Sequence, residues 1–239
     1  EPFNPWDFAF GAGLASDYNF RGISQSTRQP SVNAYFEPRY NVTKDLQLYV
    51  GAGGYSISFP NRASAEIDLY AGIRPTFGKL ALDLGALYYW YPGGQCFFGG
   101  APLMPSVPPE CNPPLPNGNY AKKNASFLEF YGKATYTFND NFNIGGGVFY
   151  TDDWLNTGAS GTYGNVTAKI TGNALPSGWN WYASGEYGRY WLGTTDTFYG
   201  VPAFPAGSPL PDYSTWNVGI GFTYKVVTLD FRYYDTNLS

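Results

Sequence analysis

The chain has 239 residues, of which 20% are aromatic and only 13% are charged, and its net charge is −4. Globular proteins usually carry about 25% charged residues, so this composition leaves too few charges to cover the surface of a soluble globule. The aromatic content argues against disorder, and the acidic balance argues against nucleic acid as a partner. The sequence has no stretch of about 18 uncharged apolar residues, which excludes a transmembrane helix.

The N-terminus and the cysteines favour an exported protein. The chain begins at Glu1-Pro2-Phe3 without a basic segment followed by an apolar one, as expected after removal of a signal peptide. Cys96 and Cys111 bracket one Pro-rich segment, which favours a disulfide in an oxidising compartment; two unpaired thiols are the alternative. With no histidine and no further cysteine, we expect no metal site and no cofactor.

Eleven segments alternate apolar and polar side chains with a period of two, which predicts β-strands with one apolar face. In the first of them Trp6 and Phe8 share one face, while Asp7 and Gly11 share the other. The predicted strands lie at 6–15, 32–41, 46–56, 65–74, 80–90, 126–138, 142–150, 163–171, 179–187, 214–224 and 227–233. Pro38 cannot donate a ladder hydrogen bond, so we expect a bulge there.

The connections between these strands alternate in length. Short ones lie near 43–45, 76–79, 139–141, 172–178 and 225, and mostly longer ones near 19–31, 58–64, 91–124, 152–161 and 192–212. Outer-membrane barrels have short periplasmic turns and long extracellular loops. We therefore predict an all-β fold, a transmembrane antiparallel up-and-down β-barrel over 1–239. Its N-terminus would be periplasmic and 91–124 would be a long Pro-rich extracellular loop. Aromatic residues near the strand ends, such as Trp90 and Trp179, fit interfacial girdles.

The strand count is odd, whereas bacterial single-chain barrels have an even number of strands. We therefore expect a twelve-stranded barrel of which eleven strands are visible here. The last strand would lie beyond Ser239, and the first and eleventh strands would not pair directly.

One segment carries a resemblance to a known family. It reads Ser16-Asp17-Tyr18-Asn19-Phe20-Arg21-Gly22-Ile23-Ser24-Gln25-Ser26, and it resembles the N-terminal signature of the TorF-type porins of proteobacteria. Segments 88–93 and 233–238 also look like features of that family. The resemblance implies an outer-membrane barrel that continues into another strand, and it implies fold and location more firmly than transport. Arg21 could reach over the extracellular mouth or cap the first strand, and the neighbouring Gly22 and Ser24 favour a turn.

The charged residues of the strands fall on the face opposite the large apolar ones. Arg or Lys at the middle of the lipid layer costs about 2–4 kcal/mol, so we place these charges in the lumen, together with Asp7. The predicted lumen-lining residues, which would set ion selectivity, are Glu37, Arg39, Glu66, Asp68, Arg74, Asp83, Glu129, Lys133, Lys169, Glu186, Asp230 and Arg232. Charges of this kind either line a channel or pair across the lumen and plug it.

These patterns favour a narrow passive, porin-like channel for small hydrophilic solutes or ions with a mild cation preference. A non-conducting structural or interaction barrel, which binds partner proteins through its loops or its lipid-facing belt, is the alternative. The expected partners are outer-membrane lipid and lipopolysaccharide, with other copies of the chain or other membrane proteins as further candidates. We expect no enzyme, because no histidine is present to act as a base beside a serine.

Overall fold

The computed structural model of the chain describes residues 4–97 and 121–238. Eleven strands form one antiparallel sheet in which neighbours along the chain are neighbours in space, and a small two-stranded hairpin stands apart from it. The strands are β1 (Trp6–Ala15), β2 (Asn19–Phe20), β3 (Ile23–Ser24), β4 (Ser31–Thr43), β5 (Leu46–Ser56), β6 (Ala65–Phe77), β7 (Leu80–Trp90), β8 (Phe127–Asn139), β9 (Phe142–Thr151), β10 (Gly161–Thr171), β11 (Asn180–Leu192), β12 (Tyr213–Tyr224) and β13 (Val227–Thr236).

All eleven predicted strands are present, which confirms the predicted fold class. β2 and β3 form the separate hairpin, which the sequence pattern placed inside a loop. The described loops also contain two short 3-10 turns, Trp154–Asn156 and Thr197–Tyr199. β11 extends beyond its predicted end at 187 because its alternation continues as far as Tyr190, which pairs with Tyr213 of β12. Among the described residues no helix is long and apolar enough to cross a membrane.

The two faces of the sheet differ as the alternation predicts. Large apolar side chains project from the outer face, where Phe10 is 75% exposed and Leu14 is 84% exposed. On the inner face Glu129 is fully buried and Glu66 is only 2% exposed. A surface with a long apolar belt and a charged interior inverts the arrangement of a soluble protein, and it needs an apolar surrounding rather than water.

The predicted bulge at Pro38 is wrong. Pro38 pairs with Phe8 of β1 in an unbroken register, and the register between β4 and β5 is the same before and after it. The irregularity lies instead between Asn41 and Thr43, where β4 enters its turn. Pro38 has no paired residue in the ladder between β4 and β5. The strand therefore accommodates a proline without a backbone N–H and without the extra residue that a bulge would insert.

β1 and β13 are the two edges of the sheet. Within the described residues no ladder joins them, as expected, and the sheet is therefore not closed by its own strands. The twelfth strand stays a prediction.

Most of the predicted 91–124 loop lies outside the described residues, and so does Cys111. Cys96 is described and is 5% exposed. The Cys96–Cys111 disulfide therefore stays a prediction.

Candidate functional site

The connection between β1 and β4 forms a hairpin that enters the concave side of the sheet. β2 and β3 are joined by a turn of two residues, Arg21 and Gly22, with φ angles of 48° and 84°. Positive φ at both central residues is the signature of a type I′ turn, the tight turn that suits the twist of paired strands. We call residues 17–26 the lumen hairpin.

Polar side chains at the base of the lumen hairpin hold it together. Asp17 Oδ1 accepts a hydrogen bond from Ser24 Oγ at 2.6 Å and another from Ser26 Oγ at 2.9 Å. The backbone N–H of Tyr18 donates to Ser26 Oγ, and that of Gln25 donates to the Tyr18 carbonyl. Most of the motif that resembles the TorF-type porins therefore builds this one hairpin.

Arg21, at the tip of the lumen hairpin, forms a buried ion pair with Glu129 of β8. Its two terminal nitrogens donate to the two carboxylate oxygens at 2.8 and 2.7 Å. The Arg21 side chain is 6% exposed and that of Glu129 is 1% exposed. Burial alone lowers the pKa of Arg21, but the facing Glu129 carboxylate raises it above its usual value, so the guanidinium stays charged. Bidentate pairs of this kind are strong and fix orientation.

Four aromatic rings surround the Arg21 guanidinium. Its central carbon lies 4.5 Å from the ring centre of Tyr163, 4.6 Å from Phe20, and 4.9 Å from Phe149 and Tyr190. At these distances the negative ring faces attract the cation, and the effect is strongest where water is excluded. The rings come from β2, β9, β10 and β11, so one side chain of the hairpin contacts strands on the far side of the lumen.

Two further contacts fix the lumen hairpin. The Tyr18 hydroxyl donates to Glu66 Oε1 of β6 at 2.6 Å, and both its burial and this carboxylate raise the pKa of Tyr18. Gly22 packs so tightly that a Cβ there would lie 2.3 Å from Thr236 Cγ2 and 2.4 Å from Thr215 Oγ1. The hairpin thus contacts β6, β8, β12 and β13, and it crosses the lumen.

A second polar layer lies closer to the short turns. Glu37 accepts hydrogen bonds from Arg39 Nε at 2.6 Å and from Arg74 Nη1 at 2.7 Å. Arg39 also reaches Asp7 of β1 at 3.2 Å. This group ties together β1, β4 and β6.

Asp83 of β7 continues this second layer. It accepts hydrogen bonds from the Tyr49 hydroxyl at 2.5 Å and forms ion pairs with Lys133 at 2.9 Å and Arg74 at 3.4 Å. The Tyr49 hydroxyl also lies 2.5 Å from that of Tyr131. The layer therefore extends through β5 and β7 to β8.

The remaining predicted lumen residues pair on the opposite wall. Asp230 accepts from the Tyr182 hydroxyl at 2.6 Å and pairs with Arg232 at 3.0 Å. Lys169 Nζ lies 4.2 Å from the ring centre of Tyr182, and Glu186 accepts from the Tyr163 hydroxyl at 2.6 Å.

Described residues line three cavities that follow one another along the lumen. One of about 680 Å³ lies at the long-loop end, one of about 260 Å³ in the middle, and one of about 440 Å³ at the short-turn end. The cavity at the long-loop end shares no lining residue with the middle cavity, because the Arg21–Glu129 layer lies between them. Asp68 lines the middle cavity, and its buried Oδ1 has no hydrogen-bond partner among the described residues.

The inner face thus brings together the predicted charges, and it pairs most of them, with Asp68 as an exception, rather than leaving them to face an open channel. Sequence reasoning missed Arg21 as a lumen residue, and it missed the tyrosine hydroxyls that bind carboxylates. The Arg-Gly pair between Phe20 and Ile23 was the available signal for the hairpin. Within 4–97 and 121–238 no group of three acidic, histidine or cysteine residues could hold a metal ion.

These features define a β-barrel of the membrane type, with an apolar outer belt and a polar interior crossed by a hairpin. A family model described as "Bacterial protein of unknown function (Gcw_chp)" matches residues 1–100. This match covers less than half of the chain, and it does not confirm the resemblance to the TorF-type porins. No curated protein matches the chain.

Two solved outer-membrane proteins are distantly similar to the chain. A loop L8 deletion mutant of OmpT, an outer membrane protein of Vibrio cholerae, is 12% identical with a TM-score of 0.41, over 98% of this chain and 95% of that one. OmpF of Salmonella typhi, in complex with daunomycin, is 11% identical with a TM-score of 0.38, over 97% of this chain and 78% of that one. With identities and TM-scores this low, neither structure gives information about the function of the chain.

Proposed function

We propose that the chain is an outer-membrane β-barrel whose lumen is a narrow, cation-preferring channel closed by the lumen hairpin in this state. The observation that carries the proposal is the buried bidentate pair between Arg21 and Glu129, which holds the hairpin across the lumen. The apolar outer belt supports location in lipid. In this proposal the short turns and the N-terminus face the periplasm, and the belt contacts outer-membrane lipid and lipopolysaccharide.

The charge of the inner face supports the cation preference. Acidic side chains outnumber basic ones there, and rings of acidic side chains favour cations. The acidic ones are Asp7, Glu37, Glu66, Asp68, Asp83, Glu129, Glu186 and Asp230, and the basic ones are Arg21, Arg39, Arg74, Lys133, Lys169 and Arg232. Conduction requires the lumen hairpin to move out of the lumen. In the closed state the Arg21–Glu129 ion pair and the rings around Arg21 fill the space between the long-loop cavity and the middle cavity.

The closed lumen also favours a second candidate, a barrel that never conducts. In that case the hairpin is a permanent part of the core, and the barrel acts through its loops or its belt on partner proteins. The two candidates differ in what happens when the hairpin is released.

Single-channel recording in planar bilayers separates them. The Arg21→Met substitution removes the cation that faces Glu129 and should raise the open probability well above that of the wild type. Arg28→Met is the matched control, because Arg28 also has a positive φ, of 57°, but is exposed. It should behave like the wild type. The reversal potential of Arg21→Met under a salt gradient should show cation preference.

Two outcomes would contradict the gated channel. A folded Arg21→Met protein that is silent over a range of salts would favour the non-conducting barrel. A wild-type protein that conducts as steadily as Arg21→Met would show that the hairpin does not close the lumen. Folding of each variant is checked by its heat-dependent shift in gel mobility.

A further inference from the structure

The cavity at the long-loop end differs in character from the rest of the lumen. It measures about 680 Å³, within the range of about 300–1,000 Å³ common for small-molecule sites. Its walls are mainly aromatic and aliphatic, and they come from separate parts of the chain. They include Phe20 and Ile23 of the lumen hairpin, Phe59, Trp154, Leu155, and Tyr213 at the start of β12.

The cavity offers no free charge among its described lining residues. Lys122 is the one charged residue among the lining residues that the structure describes. Its ammonium group donates to Asp196 and, at 2.7 Å, to the Asn156 carbonyl. A charged ligand would have to give up its water without an ionic partner, which is costly in an apolar site. The walls therefore select for a neutral molecule.

One polar group of a wall residue, the Tyr190 hydroxyl, lies behind the surface of the cavity. Tyr190 is 1% exposed, and its hydroxyl oxygen is buried. Arg21 lies over the face of its ring, 4.9 Å from the ring centre. This hydroxyl has almost no accessible surface and lies beside the Arg21 guanidinium, so it offers no hydrogen-bonding site to a molecule in the cavity.

The backbone at the same wall is strained. Leu155 has a φ of 51° and is followed by Asn156 at 55°. Positive φ is common for asparagine but unfavourable for leucine, and such strain is concentrated at functional sites. Here the strained residue contributes an apolar side chain to the cavity wall.

We propose that this cavity binds a neutral, ring-containing apolar molecule. The site requires the lumen hairpin in place, because Phe20 and Ile23 form part of its wall, and it needs no conduction through the lumen. A ligand here would contact Phe20 and Ile23 and so would rest on the hairpin itself.

Photoaffinity labelling of the full chain in lipid nanodiscs tests this site. The probe is a benzyl alcohol that carries a diazirine, with unlabelled benzyl alcohol as competitor. Labelling of peptides that contain residues 19–25 and 152–160 should saturate and be lost on competition. Labelling of the outer belt should rise in proportion to probe concentration, as expected for partition into lipid.

A cavity variant and its control make the test specific. Leu155→Asn suits the positive φ while it makes the wall polar, and it should reduce saturable labelling at least tenfold without loss of folding. Leu175→Asn, far from this cavity at the short-turn end, should leave labelling unchanged.

Three results would overturn the proposal. The first is labelling of 19–25 and 152–160 that does not saturate, which would mean lipid partition only. The second is equal saturable labelling of the wild type and Leu155→Asn. The third is tighter binding of the corresponding benzoate, which would contradict a neutral site.

Discussion

Arg21 occupies a backbone position that arginine does not favour. Type I′ turns prefer Asn, Asp or Gly at the first central residue, because the left-handed region costs other residues about 1–2 kcal/mol. Replacement of Arg21 would leave the buried Glu129 carboxylate without its counter-charge, which costs about 3–5 kcal/mol. The side-chain contacts of Arg21, and not the turn that it forms, therefore account for an arginine at this position.

Gly22 should be the position of the lumen hairpin that is most sensitive to substitution. Gly22→Ala adds a methyl group where Thr236 and Thr215 already lie within 2.4 Å, and it also places alanine at a φ of 84°. We expect a cost of about 2–4 kcal/mol, as the sum of backbone strain and overpacking. Hydrogen exchange of the backbone amides at 19–24, followed by mass spectrometry, should become faster by a factor of ten or more.

Gly78→Ala is the matched control for this substitution. Gly78 has a φ of 61°, but nothing lies within 4 Å of the added methyl group. It should cost only the backbone term of about 1–2 kcal/mol, and it should leave exchange in the lumen hairpin unchanged. Equal effects of the two variants on the hairpin would contradict the close packing of Gly22 against β12 and β13.

For individual residues, the sequence predicts part of the composition of the inner face. Period-two alternation gives the face of Glu37, Arg74 and Glu129, because a charge in lipid is costly. It does not give their partners, which lie on strands far apart in sequence. Arg21 escaped prediction because it lies in a loop, where no alternation assigns a face.

At the scale of the elements, the strands were predictable because one face of each must avoid water and the other must avoid lipid. β5 and β7 have the predicted bounds, Leu46–Ser56 and Leu80–Trp90. β2 and β3 have two residues each, which is too short for any periodic pattern. Their pairing depends on a turn and on side chains of other strands, and neither appears as periodicity.

The face assignment leads to a prediction on β10. Val166, at the middle of β10, is 60% exposed on the outer belt, whereas its neighbour Thr167 is partly buried on the inner face. Val166→Lys should destabilise the barrel by about 2–4 kcal/mol in phospholipid vesicles, the cost of lysine near the middle of the lipid layer. Urea titration followed by tryptophan fluorescence measures the change.

Thr167→Lys is the control, since the same charge one residue along points into the polar lumen. It should cost clearly less than Val166→Lys. If Thr167→Lys were the more damaging of the two, the inner and outer faces of β10 would have been assigned in reverse.

At the scale of the whole molecule, the hairpin explains how the strands are held around a common interior although β1 and β13 do not pair. Tyr18 contacts β6, Arg21 contacts β8, and Gly22 packs against β12 and β13. The lumen hairpin therefore links strands from both halves of the sheet. Sequence pattern predicted the unpaired edges by counting strands, but not this internal link, which depends on contacts between distant residues.

The orientation of the barrel in the membrane is open to direct measurement. We expect the long loops outside the cell and the short turns in the periplasm. Ser160, in a long loop, and Lys44, in a short turn, are both exposed. In intact Gram-negative cells a membrane-impermeant maleimide should label Ser160→Cys, and it should label Lys44→Cys only after the outer membrane is made permeable. Labelling of Lys44→Cys alone in intact cells would reverse the orientation.

The unsubstituted chain is the control for this labelling, and it carries a prediction of its own. If Cys96 and Cys111 form a disulfide, neither thiol should react with the maleimide until a reductant is added, because the reagent needs a thiolate. A disulfide that closes a loop of this length stabilises the fold by about 3 kcal/mol in the chain-entropy model. Reduction should therefore lower the urea midpoint of the wild type, and Cys111→Ser should lower it to the same extent without any added reductant. Labelling of the wild type without reductant would show that the two thiols are unpaired.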